Sequence, residues 1–167
     1  MKKLIGSAVL LVAFMGAGYA DSARKGSTVP VDGVRYNTSS VYARLTITAG
    51  SETLDAVLFD NKTARAIAAM LPLTIPTWHP APDFARAFDL PRSFPYFEDE
   101  PPQMSYELGS LAYWEPGPSI AMIYHASRTE TVVPVVPVGK ITGGNLNVLA
   151  DYDGDITVKV ADMTDKP

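Results

Sequence analysis

The side chains of this 167-residue chain that could do chemistry are few and scattered. The two histidines, His79 and His125, lie far apart, and neither H-x-x-x-H nor H-x-H occurs. A zinc site needs three or four nitrogen, sulfur or carboxylate ligands at workable spacing, so each histidine reads as a hydrogen-bonded or surface residue. Asp151-Tyr152-Asp153-Gly154-Asp155 offers alternating carboxylates to a hard cation, yet it lacks the sixth-position glycine and distant glutamate of an EF-hand loop. Asp-Gly ahead of an alternating run is an ordinary turn. No G-x-S-x-G elbow, G-x-G-x-x-G fingerprint or G-x-x-x-x-G-K-[ST] loop is present, and Gly143-Gly144 reads as a turn. The absence of cysteine removes thiolate ligands, a cysteine nucleophile and disulfides. No metal and no cofactor are expected. Acidic residues are plentiful, but their spacing places no two of them across a substrate.

The elements that must position these groups are organised around Leu54 to Ile75. Leu54, Ala56 and Leu58 alternate with Asp55 and Val57, which predicts a strand with one buried face. Asp60 and Asn61 offer oxygens to the first N–H groups of a helix, whose apolar stripe is Ala64, Ile67, Ala68 and Leu71. Pro72 stops it. Before this unit, Val41, Ala43, Leu45 and Ile47 form another alternating strand, joined through Ala49-Gly50-Ser51 into a hairpin. After it, the proline-rich stretch from Trp78 to Ser105 reads as a long irregular segment, too aromatic for disorder. Glu98-Asp99-Glu100 reads as its solvated tip. Leu111–Trp114 and Ile120–Tyr124 flank Glu115-Pro116-Gly117-Pro118 as a second hairpin. Thr131 to Ile141 is valine-rich, and Pro134 and Pro137 place it at an edge or bulge. Gly144 to Leu149 suggests one helical turn, and Ile156, Val158 and Val160 a last strand. Six to eight strands and one good helix predict an all-β closed barrel.

The first twenty residues stand apart. Lys2 and Lys3 precede an apolar run from Leu4 to Met15, and Gly18-Tyr19-Ala20 supplies small residues at a cut. This is the layout of a signal peptide, the run being shorter than the roughly 20 residues of a membrane span. The expectation is a periplasmic or secreted protein without a membrane anchor. Residues 21–40 read as a flexible leader, with a short strand near Val34 to Tyr36, and 41–162 as the folded domain. The net charge is −4, and two units lower once Lys2 and Lys3 are gone, so no nucleic-acid partner is expected. Oligomeric state is left open.

Several blocks resemble the compact bacterial cyclophilin-like family, small closed barrels related in fold to the prolyl isomerases. They are Leu58-Phe59-Asp60-Asn61, Thr63-Ala64, Met70 to Thr74, Phe88-Asp89-Leu90-Pro91, Gly109 to Tyr113, Ile120 to Tyr124 and Val138-Gly139-Lys140-Ile141. The resemblance spans roughly residues 41 to 160 and implies a cyclophilin-like β-barrel. The residues themselves allow a groove for a peptide or small-molecule ligand. Isomerisation must overcome an amide barrier of about 18–20 kcal/mol, by holding a twisted peptide against apolar walls while a donor meets the amide nitrogen. Candidate donors are Arg86, Arg92 and Arg128, although arginine on loops is usually solvated; candidate ligand-facing residues are Phe88, Tyr113, Met122, Tyr124 and His125, with Trp114 near the groove, although Met122 and Tyr124 alternate with Ile123 and read more readily as filling the barrel. True prolyl isomerases carry a Phe-His-Arg block and a Gln-Gly-Gly-Asp-type block, and this chain has neither. Nearer relatives place Asn-Glu where it has Phe84 and Ala85, and aspartate where it has Ser110. The reading is therefore a binding module, with peptidyl-prolyl isomerase as the alternative and enzymatic activity undecided.

Overall fold

A computed structural model describes residues 40–127 and 130–161. The expected signal peptide, the expected leader except Ser40, and Arg128 lie outside the described residues. Eight strands close into one antiparallel barrel: β1 (Val41–Ala49), β2 (Glu52–Phe59), β3 (Leu73–Ala81), β4 (Ala85–Asp89), β5 (Ser110–Trp114), β6 (Ser119–Ile123), β7 (Val136–Gly143) and β8 (Asp155–Val160). Around the barrel their order is β1-β2-β7-β5-β6-β4-β3-β8. Two short helices complete it, α1 (Lys62–Ala68) and α2 (Val148–Asp151). The all-β cyclophilin-like barrel expected from the sequence is what forms.

The β1–β2 hairpin pairs Leu45 with Ala56 and Ile47 with Leu54, so the alternating apolar residues of both strands enter the interior together. Gly50, at φ +62°, makes the turn between them. α1 starts where the caps predict: the Asn61 side chain accepts from the Ala64 N–H at 2.8 Å and donates to the Pro137 carbonyl at 3.0 Å. Ala64 and Ile67 are buried against the barrel. At the opposite end of the chain, Leu149 of α2 is buried in the same core.

The stretch after α1 differs from its sequence reading. Two strands, β3 and β4, occupy its first part, and only the chain beyond Leu90 is irregular. Prolines hide β3 beyond Ile75 from a sequence scan, yet both sit where the ladder tolerates a missing donor. Pro76 is the last residue registered with β8, and Pro80 falls in the register shift between β3 and β4. Likewise Glu100 is not part of a solvated tip. It is buried, and its carboxylate accepts from the N–H groups of Lys62 at 2.6 Å and Thr63 at 2.9 Å, and from the Thr63 hydroxyl. These are free donors at the start of α1, so the acidic residue lands where helix polarity favours it.

Candidate functional site

Residues on strands alternate between the two faces, and on β3 to β6 this alternation divides the candidate residues into two groups. Phe88 of β4, Met122 of β6 and Tyr113 of β5 point inward with Ile120 and Leu111, and all belong to the buried core, as does Tyr124 just past β6. Tyr113 stacks on Phe94, their ring centroids 4.4 Å apart, and donates its hydroxyl to the Phe94 carbonyl at 2.7 Å. The Tyr124 hydroxyl donates to the Pro82 carbonyl, and burial pushes this phenol above its ordinary pKa. His125 is exposed, its Nδ1 3.2 Å from the Asp83 carbonyl.

Arg86 also points inward, at the level of Met122. It is 1% exposed, one of the largest buried side chains in the molecule. A guanidinium can only donate, and every arm of this one has an acceptor. Nε donates to the Leu149 carbonyl at 2.6 Å and Nη1 to the Thr77 hydroxyl at 2.8 Å. Nη2 reaches Asp153 Oδ1 at 3.1 Å, the Ala150 carbonyl at 3.5 Å and the His79 Nε2. Because His79 Nε2 must accept, the ring proton sits on Nδ1, which is buried with no partner among the described residues. Arg86 thus fastens α2 across one end of the barrel. Asp153 is spent on this contact, so the Asp151–Asp155 run does not converge on a cation. Among the described residues no group of three histidine or acidic side chains could hold a metal. Arg92 is exposed on the chain beyond β4.

The outward positions of the same strands build a groove. In register, Trp78 of β3, Ala87 of β4, Ala121 of β6 and Ala112 of β5 form one row across four adjacent strands. The next row holds Asp89, Ser119 and Trp114, and Trp78 Nε1 donates to Asp89 Oδ1 at 2.9 Å. Strands stand about 4.8 Å apart and successive rows about 7 Å, so the two tryptophans, three strands and one row apart, are set about 16 Å apart over a floor of alanine. Phe84 and Ile123 close one end, with Tyr106 packed edge-on against Phe84 at 4.6 Å between centroids. Thr131, Val132, Val133 and Val135 form a wall, anchored by the reciprocal Gln103–Val135 backbone pair at 2.8 Å. The volume is about 270 Å³, and no lining side chain is charged.

Neither Phe88, Tyr113, Met122, Tyr124 nor His125 lines this groove, and neither do Arg86 and Arg92. Of the groove residues, Trp114 was expected near a groove, while Trp78, Ala87, Ala112, Ala121 and Ile123 were missed from sequence. A signal for them exists. Ser110–Trp114 and Ser119–Ile123 carry no charged residue on either face, unlike a barrel strand with a solvated outer face.

The chain matches the family described as the Cyclophilin-like family over residues 47–161. It belongs to that family. A hypothetical protein of Archaeoglobus fulgidus, its structure determined in solution, shares the cyclophilin-like domain's fold with a TM-score of 0.59 and 21% identity. The alignment covers 75% of this chain and 100% of the archaeal one. Comparison with curated proteins gives no match. In this cyclophilin-like domain, none of the described helices is long and apolar enough to cross a membrane.

Proposed function

We propose that this cyclophilin-like domain is an exported binding module that takes a peptide segment or small ligand in its outer groove, without strong catalysis of its own. The carrying observation is the uncharged groove floored by alanine and flanked by Trp78 and Trp114. Concave, mostly apolar sites with few polar groups are the ordinary form of a ligand site. Against the isomerase alternative stands Arg86, whose donors are all engaged inside the barrel rather than turned to the groove. A groove that holds both isomers equally lowers no barrier. Export is supported by Lys2, Lys3, the run from Leu4 to Met15 and the small residues at Gly18-Tyr19-Ala20.

Both tryptophans of the chain line the groove, so intrinsic fluorescence reads its occupancy directly. Uncatalysed isomerisation of a short proline peptide takes roughly tens to hundreds of seconds at 25 °C, and the purified protein is expected to leave that rate unchanged. A rate increase that disappears in Ala121→Leu, which fills the groove floor, would establish the isomerase instead. N-terminal sequencing of the exported protein should begin at Asp21 or within a few residues of it. Retention of Met1 in a membrane fraction would refute export.

A further inference from the structure

Resting on the groove reading above, we infer that the occupant is a compact, uncharged aromatic molecule carrying one hydrogen-bonding group, of the phenol or indole class. Size comes first. A dry apolar cavity of about 150 Å³ accepts benzene, and drug-sized sites start near about 300 Å³. At about 270 Å³ the groove has room for two fused rings and little more.

The sheet beneath the groove excludes an extended peptide as the favoured occupant. β3, β4, β6 and β5 are consecutive strands of a closed barrel, each paired on both sides, so no ladder donor or acceptor is left for an added strand. A peptide laid on alanine would bury its N–H and C=O groups without replacing their water. A flat ring meets no such penalty: the row Ala87–Ala121–Ala112 offers a level floor, and the indoles at either side offer ring faces and edges. With no charged lining residue, a carboxylate or ammonium on the ligand would lose hydration uncompensated.

Of the two hydroxyls that line the groove, one keeps its proton free for the ligand. The Thr131 hydroxyl lies 2.7 Å from the Val133 carbonyl and 2.9 Å from that of Met104, and its single proton is engaged there. Ser119 is 3% exposed and lines the groove between Asp89 and Trp114 in register, and its hydroxyl has no hydrogen-bond partner among the described residues. It can give to or accept from one ligand group.

Titration calorimetry of the purified exported protein with 1-naphthol, naphthalene, 1-naphthoate and a capped proline-containing hexapeptide tests this. 1-Naphthol is expected to bind, with naphthalene about fivefold weaker, the worth of one neutral hydrogen bond, and 1-naphthoate at least about tenfold weaker. Ser119→Ala should reduce 1-naphthol to the affinity of naphthalene while leaving naphthalene unchanged. Ala121→Leu, checked by circular dichroism for an intact barrel, should abolish binding of both. The inference is overturned by 1-naphthol binding that survives Ala121→Leu, or by 1-naphthoate binding as tightly as 1-naphthol. Peptide binding that is lost in Ala121→Leu, without naphthol binding, overturns the ligand class and leaves the groove standing. No Ala121-dependent binding at all removes both.

Discussion

Arg86 shows how one residue can look catalytic in a sequence and be structural in the fold. Arginine on a strand flanked by alanine and phenylalanine invites a functional reading, because a buried guanidinium is expensive unless every donor is met. Here they are met, by the side chains of Thr77, His79 and Asp153 and by carbonyls at the end of α2, where the chain leaves Leu149 and Ala150 without helical donors. Removing the side chain strands those carbonyls. Arg86→Met, close in volume and unable to donate, is expected to lower stability in urea unfolding by about 3 kcal/mol. Asp153→Asn should cost less than about 1 kcal/mol, because that partner is exposed and screened. Ligand binding in the groove should survive Arg86→Met, since the arginine faces the interior. Equal losses for the two variants would mean the ion pair, not the carbonyl contacts, holds α2. The sequence could name Arg86 as unusual but not choose its acceptors, because Leu149 and Asp153 come to it from the far end of the chain.

Among the elements, those with clean periodicity were legible and those with competing signals were not. β1, β2 and β8 alternate apolar and polar residues, and α1 carries both a cap and a stripe, so each appears near its expected bounds. Of β3 only the start, Leu73 to Ile75, was legible, because Pro76 and Pro80 argue against a strand wherever its neighbours are unknown, and only the pairing shows that a missing N–H is tolerated there. The groove's floor could not be assembled from sequence for a related reason. Its floor is a row across β4, β6 and β5, and alanine carries no chemical signal until register sets three of them side by side. Glu100 is a third case, a long-range cap that no local pattern could announce. Its two carboxylate oxygens take the Lys62 and Thr63 N–H groups, and Asn61 takes that of Ala64, so the two acidic or polar caps divide the free donors of α1 between them. Glu100→Ala should therefore destabilise the fold by about 2 kcal/mol in thermal or urea unfolding. Asp99 beside it is exposed and salt-bridged to Lys62, whose hydrogen bond holds the Asp99 carboxyl below the usual range. Its contribution would be present above the ordinary carboxylate value near about 4 and fade on acidification below it. Asp99→Asn is expected to leave the midpoint unchanged, and a loss as large as that of Glu100→Ala would contradict the division of roles drawn here.

At the scale of the molecule, closure of the barrel is what gives the groove an unbroken floor, and closure depends on how near the strands can approach. β7 lies between β2 and β5, pairing Gly139 with Leu58 on one side and Leu111 on the other. A Cβ at Gly139 would stand 2.2 Å from the Val57 carbonyl oxygen and 3.2 Å from Leu111 Cδ1. The first of these is backbone and cannot rotate away, so Gly139→Ala must push β7 off β2. At Gly143, on the same strand, a Cβ would meet Asp55 Oδ2 at 2.9 Å, the far end of a side chain that can swing aside. The two substitutions add the same methyl group to the same strand and differ only in what it strikes. Gly139→Ala is expected to cost at least about 3 kcal/mol, as overpacking against fixed atoms does, and Gly143→Ala less than about 1 kcal/mol. Urea unfolding of both variants measures the difference, and amide exchange locates it. In Gly139→Ala, protection should fall first along Ala56–Leu58 and Gly139–Ile141, the rungs that join β2 to β7. Equal stabilities for the two variants, or exchange that rises first at β3 and β4, would show that the barrel is not held shut at Gly139.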